Sequence, residues 1–456
     1  MNITGKNIVV LGAGVSGVAA ARLAKAKGAA SVRLFDKADN DMLRALSADL
    51  QRNGIETCLG WQPVQALEAD LAIVSPGIAL TSPMLTQGLA PSCPRCSELE
   101  FGSSFCTLPQ IAITGTNGKT TTVELLTHCL CQAGHKAVAV GNVGLPISAL
   151  AIDQQDYEIA VVEVSTFQLE TTSHLAVDCA ALLNITPDHL DRHGSMEEYT
   201  RLKFKLLQLA KEDRPVVLNA NLKHHPALEQ MLLGRPKIYF SAHEQADFCY
   251  KDDALCRNVN GTAVKLLSVD KMQLKGDHNY ENALAVLALG EAMGFTPETL
   301  VPGLRTFAVG DHRLAEVGVF EGVRYINDSK GTNVDAVVKA LEYSAEDNDS
   351  EQKIILIAGG IDKGCSLEEA KSALTMYVKE VCVFGACRDR LAASWGQVVP
   401  VTVCDTLAQA VQAAKALASP GDTVLFSPGC SSFDMFQSYA DRGRQFVACV
   451  KKLYGG

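Results

Sequence analysis

No uninterrupted apolar run in these 456 residues approaches the ~20 needed to span a bilayer as a helix, so no membrane-spanning helix is expected. A basic stripe is also missing. Lys and Arg total 41 against 51 Asp and Glu, a net charge of −10, so a nucleic-acid module is not expected. The acidity still permits an anionic substrate, because a cleft can focus a positive field against the global sign. Cys93 and Cys96 form one isolated C-x-x-C, and no second pair follows at the spacing of a structural zinc site. His189 and His193 stand four apart, but Leu190 occupies the position where H-E-x-x-H carries its base, which argues against a zinc protease. No internal repeat and no low-complexity tract is present. The N-terminal apolar stretch does not read as a signal peptide: Gly12, Gly14 and Gly17 interrupt it, and Arg22, Lys25 and Lys27 follow at once. Fifteen cysteines, an odd number scattered through apolar stretches, read as free buried thiols in a reducing cytoplasm.

What remains is ordinary globular composition, 47% hydrophobic and 20% charged, long enough for about three domains. Short β-branched runs at Ile8–Leu11, Val32–Phe35 and Leu71–Val74 alternate with helical stretches, the first over Val18–Lys27, which predicts a parallel sheet with crossover helices. A second block carries Ile111–Ile113, Ile159–Val164 and Ala180–Ile185, then peripheral strands and turns over Ser241–Asp270 and an Ala/Leu-rich helix over Asn279–Met293. Four strand-like runs follow at Ile354–Ala358, Val381–Phe384, Pro400–Val403 and Thr423–Phe426. The Pro/Ser/Gly-rich stretch Thr81–Pro94 and the segment Gly310–Arg313 mark the joints, and the expected domains are 1–97, 98–310 and 311–456. The predicted fold class is α/β: a Rossmann-like N-terminal nucleotide-binding domain, a central P-loop ATPase-type domain with a parallel sheet, and a C-terminal Rossmann-like α/β domain.

The strongest local signal runs from Ile111 through Thr114, Gly115, Thr116, Asn117, Gly118 and Lys119 to Thr120, Thr121 and Thr122. A strand enters a glycine loop, and a lysine and a hydroxyl residue open a helix. Gly115 and Gly118 let backbone N–H groups approach phosphate oxygens, and the helix N-terminus adds partial positive charge. Lys119 is placed to neutralise β/γ-phosphates and Thr120 to ligate Mg²⁺. The first glycine of the usual loop falls at Ile113, so this is a shortened variant.

Gly12, Gly14 and Gly17 after one strand, with Asp36 ending the next, fit the spacing of a dinucleotide fingerprint. Alone, this motif is compatible with NAD(P), with another nucleotide, or with packing glycines. The pair of cradles is more informative than either. A dehydrogenase needs no P-loop and a simple kinase needs no second diphosphate site, whereas a ligase that spends ATP on a nucleotide-carried substrate needs both. The rival reading from another class is a nucleotide switch or NAD-binding protein whose P-loop regulates. Glu163, ending its strand, can hold Mg²⁺ opposite the P-loop, though strand-end acids are often only solvated. His189, after a strand, is more often a hydrogen-bonded core group than a ligand, and Lys203, between Arg201 and Lys205, reads by composition as a surface lysine.

Seven pieces in order carry a resemblance: Gly115–Thr120, Glu163–Thr171, Asn184–Arg192, Asp277–Asn282, Asp311–Arg313, Asn327–Thr332 and Gly359–Lys363. Together with the N-terminal glycines and Ser75-Pro76-Gly77, they make the chain similar to the Mur ligase family over essentially its whole length. The resemblance implies ATP-dependent amide formation that adds D-glutamate to UDP-N-acetylmuramoyl-L-alanine in cytoplasmic peptidoglycan precursor synthesis, by a monomer, through an acyl phosphate. It implies that Gly115, Thr116, Asn117, Gly118, Lys119, Thr120, Thr121, Asn279, Asn282, Arg313, Asp328 and Lys330 bind ATP. Gly14, Val15, Ser16, Asp36, Lys37, Ser75 and Asn142 are implied for the UDP-linked substrate, and Thr332, Lys363, Ser432 and Tyr439 for D-glutamate. Tyr439 stands where the family carries Phe. Two Mg²⁺ sites are implied, on Thr120, Glu163, His189 and Lys203. Lys203 matches a lysine carbamylated by CO₂, which overturns its reading as a surface residue. Lys119, His189 and Lys203 are the implied catalytic set. Closure of the third domain over the nucleotide is a further implication, and a related ligase using a different amino acid is the alternative enzyme.

Overall fold

Runs of Val, Ile, Leu and Ala become strands here because each can be buried on both faces beneath flanking helices. A computed structural model describes every residue of the chain except 309, 311, 347–352, 363–365 and 456. Among the described residues it contains three sheets. In the first, five parallel strands lie side by side in the order Glu56–Cys58, Ser31–Phe35, Asn7–Leu11, Leu71–Val74 and Arg95–Ser97. Alternation does the sorting. Ile8 and Val10 pack with Ala20, Ala21 and Ala24 on one face, while Val9 and Leu11 pack with Phe35, Val74 and Leu85 on the other. The strand order reverses on either side of Asn7–Leu11, which opens a crevice at its C-terminal end.

The second sheet has nine strands. Its parallel heart is Ala137–Gly141, Ile159–Glu163, Gln110–Thr114, Cys179–Leu182, Val216–Asn219 and Lys237–Ser241. The expected peripheral strands are present as Phe248–Lys251, Ala254–Val259 and Thr262–Ser268, the last two joined antiparallel. The third sheet places Ala315–Phe320, Val323–Asn327, Thr423–Phe426, Ile354–Gly359, Val378–Phe384 and Val401–Val403 in that order, all parallel except the first. The chain forms two compact units. One comprises Met1–Asn184, Glu197–Gln273 and Asn279–Phe307; the other comprises Ile185–Met196, Leu274–His278 and Ala308–Gly456. Among the described residues, no helix is long and apolar enough to cross a membrane.

Two sequence expectations need correction. The first helix starts at Val15, not Val18, because Gly14 is the N-cap and Gly17 lies inside the opening turn. A glycine in a first turn reads as a loop until its packing is visible. The hairpin Ala315–Phe320/Val323–Asn327 is not expected from buried runs, since its outer strand is half exposed. Its turn, Glu321-Gly322, has both residues at positive φ, the primed geometry that matches strand twist.

Within the first unit, the segment after the first sheet is tied down by buried polar groups. Ser97 N–H donates to the Thr171 carbonyl at 2.9 Å, and Glu98 Oε1 accepts the Ser148 N–H at 2.8 Å. Burial pushes the Glu98 carboxyl up to about 7. An acid bound more tightly to its proton when folded contributes stability that is fully present below about pH 4.5 and lost as pH rises through about 7. The loss is worth up to about 3 kcal/mol. Glu98→Gln keeps the acceptor for Ser148 and cannot titrate. Thermal melts should therefore show a shallower decline across that window, and a variant more stable than the parent at alkaline pH. Asp328, also raised to about 7 by burial, leaves part of the slope in place. An unaltered pH profile would show that Glu98 is already ionised in the folded protein.

Candidate active site

The loop after Asn7–Leu11 is built by close packing. A Cβ at Gly17 would lie 1.9 Å from the Gly12 carbonyl oxygen, so only glycine lets the helix start seat against the loop. Ser75, buried under the loop, donates its hydroxyl to that same carbonyl at 3.2 Å. Asp36 is committed to backbone: Oδ2 accepts the Ala13 N–H at 2.7 Å and Oδ1 the Ala38 N–H at 2.8 Å. Gly14 and Lys37 are exposed, Val15 is 76% exposed, and Ser16 is half-buried. Of the residues expected to bind the UDP-linked substrate, Ser75 and Asp36 thus shape the cradle from beneath. Gly14, Val15, Ser16 and Lys37 face its open side.

The loop after Gln110–Thr114 runs into the helix Lys119–Gln132. Gly118 caps that helix with φ 79°, a left-handed conformation, and a Cβ there would meet Asn282 Oδ1 at 2.4 Å. Lys119 Nζ donates to the carbonyls of Gly115 (2.8 Å) and Thr116 (2.6 Å), which holds its ammonium over the loop. Thr116, Thr120 and Thr121 are buried. Asn184, whose role the sequence did not signal beyond opening a motif, supports the loop. Its Oδ1 accepts the N–H groups of Thr116 (3.0 Å) and Asn117 (2.8 Å), and its Nδ2 donates to the Asn117 carbonyl (3.1 Å). Asn282 Oδ1 accepts the Thr122 hydroxyl at 3.2 Å, and Asn279 Oδ1 lies 3.4 Å from Asn282 Nδ2. Asn282, expected to bind ATP, is therefore bound beneath the glycine loop, and Asn279, expected likewise, stands beside it.

Glu163 ends the strand beside the loop strand, in register with Ile113. It is 2% exposed. Asn142 Nδ2 donates to Glu163 Oε1 at 2.7 Å, while Oε2 is buried with no hydrogen-bond partner. A buried carboxylate oxygen left unpaired is costly unless a cation takes it, so the residues present fit a divalent ion at this strand end.

Composition placed Lys203 on the surface, and the structure corrects this: it is 2% exposed. The helix Met196–Gln208 buries Tyr199, Leu202, Lys203, Leu206 and Leu207 at helical spacing, so Lys203 sits on the inward stripe. Its neighbours are less buried, Arg201 exposed and Lys205 half-buried. Arg201 pairs with Glu198, and Lys205 Nζ donates to the Leu169 carbonyl at 2.8 Å. Lys203 Nζ stands 4.4 Å from the centroid of the Tyr199 ring, and the Tyr199 hydroxyl donates to Thr116 Oγ1 at 3.1 Å. Tyr199, which the sequence reading did not single out, thus connects the lysine to the phosphate loop.

In the second unit, three loops leave the C-terminal ends of the neighbouring parallel strands Val323–Asn327, Thr423–Phe426 and Ile354–Gly359. This is where α/β sheets bind ligands. Asp328 is buried and accepts the Ser427 hydroxyl at 2.7 Å, with Arg313, half-buried, contributing positive charge nearby. Lys330 Nζ lies 4.9 Å from the Tyr439 ring centroid and 3.5 Å from its hydroxyl oxygen. Thr332 is half-buried, and Ser432 is buried. Lys363 lies outside the described residues. Arg442, fully buried, ties the loops together through the Ser329, Gly359 and Cys430 carbonyls. His189 has φ 56°, left-handed for a bulky residue. Its own N–H donates to Asp188 Oδ1 at 2.9 Å. Among the described residues, no group of three or more His, Cys, Asp or Glu side chains is gathered as a metal cluster.

Three domain models match the chain in order: a Mur ligase MurD-like N-terminal domain over residues 6–94, a Mur ligase middle domain over 113–290, and a Mur ligase glutamate ligase domain over 312–430. A UDP-N-acetylmuramoylalanine–D-glutamate ligase of Koribacter versatilis is 36% identical, covering 99% of both chains. One of Pelotomaculum thermopropionicum is 37% identical, covering 100% of this chain and 99% of its own. Among solved structures, the UDP-N-acetylmuramate-alanine ligase MurC of Thermotoga maritima is 19% identical at a TM-score of 0.62, covering 98% of this chain and 100% of that one. MurF of Acinetobacter baumannii is 15% identical at 0.63, covering 92% of this chain and 91% of that one. The fold agrees with these structures, and full-length identity to the ligases above shows that the chain belongs to the Mur ligase family.

Proposed function

We infer that this chain is the ligase its full-length relatives are named for, joining D-glutamate to UDP-N-acetylmuramoyl-L-alanine at the expense of ATP in the bacterial cytoplasm. The observation that carries the reading is the pair of phosphate cradles in one unit, the Gly12–Gly17 loop and the Gly115–Thr120 loop, beside full-length identity above 30%. Two structural neighbours, MurF of T. maritima and E. coli FolC, are described in complex with ADP.

A carboxylate oxygen is a poor leaving group, so the acid must be activated. The oxygen of the L-alanyl carboxylate attacks the γ-phosphorus of ATP, the bridging P–O bond breaks, and ADP departs. The amino group of D-glutamate then attacks the acyl carbon and gives up a proton, and the C–O bond to phosphate breaks as the amide forms. Positioning and charge stabilisation carry such a transfer. Lys119 exchanges its two loop carbonyls for phosphate oxygens, and the opening turn of its helix offers N–H groups to the same charge. Gly14, Val15, Ser16 and Lys37 face the uridine and pyrophosphate of the other substrate, with Ser75 and Asp36 holding their loop in shape. Asn142 carries a second duty, orienting Glu163.

Thr120 and Glu163 would hold one Mg²⁺, and His189 and carbamylated Lys203 each keep the metal role implied by their own motif. Bound there, Mg²⁺ supplies charge neutralisation to the transferring phosphoryl group. A bare ammonium at Lys203 is costly to bury and would repel the cation, whereas a carbamate reverses its sign. In the second unit, Arg313, Asp328 and Lys330 keep the ATP roles implied by their motifs, and Thr332, Lys363, Ser432 and Tyr439 the acceptor roles. Residues 1–97, 98–310 and 311–456 form the three functional domains. The deciding assay is phosphate release with UDP-N-acetylmuramoyl-L-alanine and ATP, with D-glutamate, L-glutamate or no amino acid added. Release only with D-glutamate is expected. Equal release with another amino acid would reassign the acceptor, and ATP binding without turnover under all conditions would remove the ligase reading.

A further inference from the structure

We propose that Asn333 is a positioning residue for His189 and acts through Asp188, so that the segment carrying the acceptor position Thr332 also holds the loop that carries His189. All of these residues belong to the second compact unit. Asn333 is 4% exposed and Asp188 5%. Asn333 Nδ2 donates to Asp188 Oδ2 at 3.1 Å, and the same oxygen lies 3.6 Å from His189 Nε2. Asp188 Oδ1 meanwhile accepts the His189 N–H. A histidine in the left-handed region carries a backbone cost that its surroundings must offset. Here one oxygen of a buried carboxylate, Oδ1, fixes the His189 backbone N–H, while Oδ2 stands beyond hydrogen-bond distance of the ring and is engaged by Asn333 instead. That carboxylate is in turn fixed by Asn333.

The other end of the Asn333 amide is also engaged. Its Oδ1 accepts the Ala336 N–H at 2.8 Å, which caps the helix Val334–Glu346. Two residues on, Asp335 Oδ2 accepts the Thr186 hydroxyl at 3.3 Å, a second tie between the same two segments. Asn333 thus joins a helix cap, on its oxygen, to the His189 loop, on its nitrogen. Serine or aspartate could make the cap, but neither offers the amide N–H₂ that reaches Asp188. The sequence places Asn333 directly after Thr332, so a shift of that segment moves both the acceptor position and the carboxylate that holds His189.

The chemistry suggests a swap. Asn333→Asp keeps the helix cap, since Asn and Asp cap equally well, but it removes the donor and sets two carboxylates against each other. Its kcat should fall by about ten- to a hundredfold. The melting temperature should stay within a few degrees of the parent, and KM for the UDP-linked substrate, whose cradle lies in the other unit, should hold. The double variant Asp188→Asn/Asn333→Asp rebuilds the bond with donor and acceptor exchanged, and should return kcat to within about threefold of the parent. Full activity in the single variant, or a double variant no better than the single, would overturn the proposal. Should the single variant not fold, the double decides alone, and an inactive double sinks it. The inference rests on the proposed metal role of His189 only for what His189 does once held. Mn²⁺ binding followed by electron paramagnetic resonance in the parent and in His189→Ala tests that role separately: equal affinity removes the metal reading and leaves the swap to judge Asn333.

Discussion

Lys119→Ala should lower turnover by about a thousandfold or more, the scale on which a single preorganised charge acts on a transferring phosphoryl group. The lysine ammonium rests 2.8 Å and 2.6 Å from two carbonyls of its own loop, so it is already held where the β/γ-phosphates are expected. Alanine leaves the loop itself in place, because Asn184 and the helix carry its backbone. Binding of UDP-N-acetylmuramoyl-L-alanine, measured by titration calorimetry, should survive unchanged. Its cradle depends on Gly12, Gly17, Ser75 and Asp36, none of which touches Lys119. A variant with parental turnover would end the assignment of Gly115–Thr120 as the ATP loop, and one that also loses the UDP-linked substrate would show that the two cradles are not independent.

Lys203→Ala should cost about a hundredfold or more in kcat, and short carboxylic acids added to the assay should restore part of it. The lysine is 2% exposed, and its nitrogen sits against the Tyr199 ring, whose hydroxyl reaches the phosphate loop. Truncation therefore leaves a cavity beside the loop, and an acetate- or propionate-sized anion can occupy it and replace the carbamate charge. Rescue should saturate with acid concentration and fade for acids too bulky for the space. A neutral amide of the same size should not rescue. If no acid restores activity under any condition, Lys203 works as an amine or only as a packing residue, and the carbamate reading fails. Parental activity without rescue would remove it from catalysis altogether.

Both glycine loops are legible in the amino-acid order because each is a local object. Four or five consecutive residues set the glycine conformations, the N–H directions and the helix start, and strand-forming runs precede them in the chain. Gly17 shows where such reading stops. Its place in the fingerprint is visible in the spacing, but a glycine there looks like loop, and only the 1.9 Å approach to Gly12 explains why a helix begins around it. Lys203 shows a deeper limit. Its neighbours Arg201 and Lys205 make the stretch look solvated, and only packing of the Tyr199–Leu207 stripe reveals that the middle cation is fully buried.

Three α/β blocks, two glycine loops and the family follow from residue order unaided, because strand runs, glycine spacing and motif order survive without knowing what folds against what. The remaining features exist only in the folded chain. Folding assigns Asn142 to one oxygen of Glu163 and leaves the other bare, binds Asn282 beneath Gly118, and joins Asn333 to Asp188 across 145 positions of chain. The reason is physical: a side chain's hydrogen-bond partner and its exposure depend on which distant segment lands beside it. No local pattern of residue types encodes that.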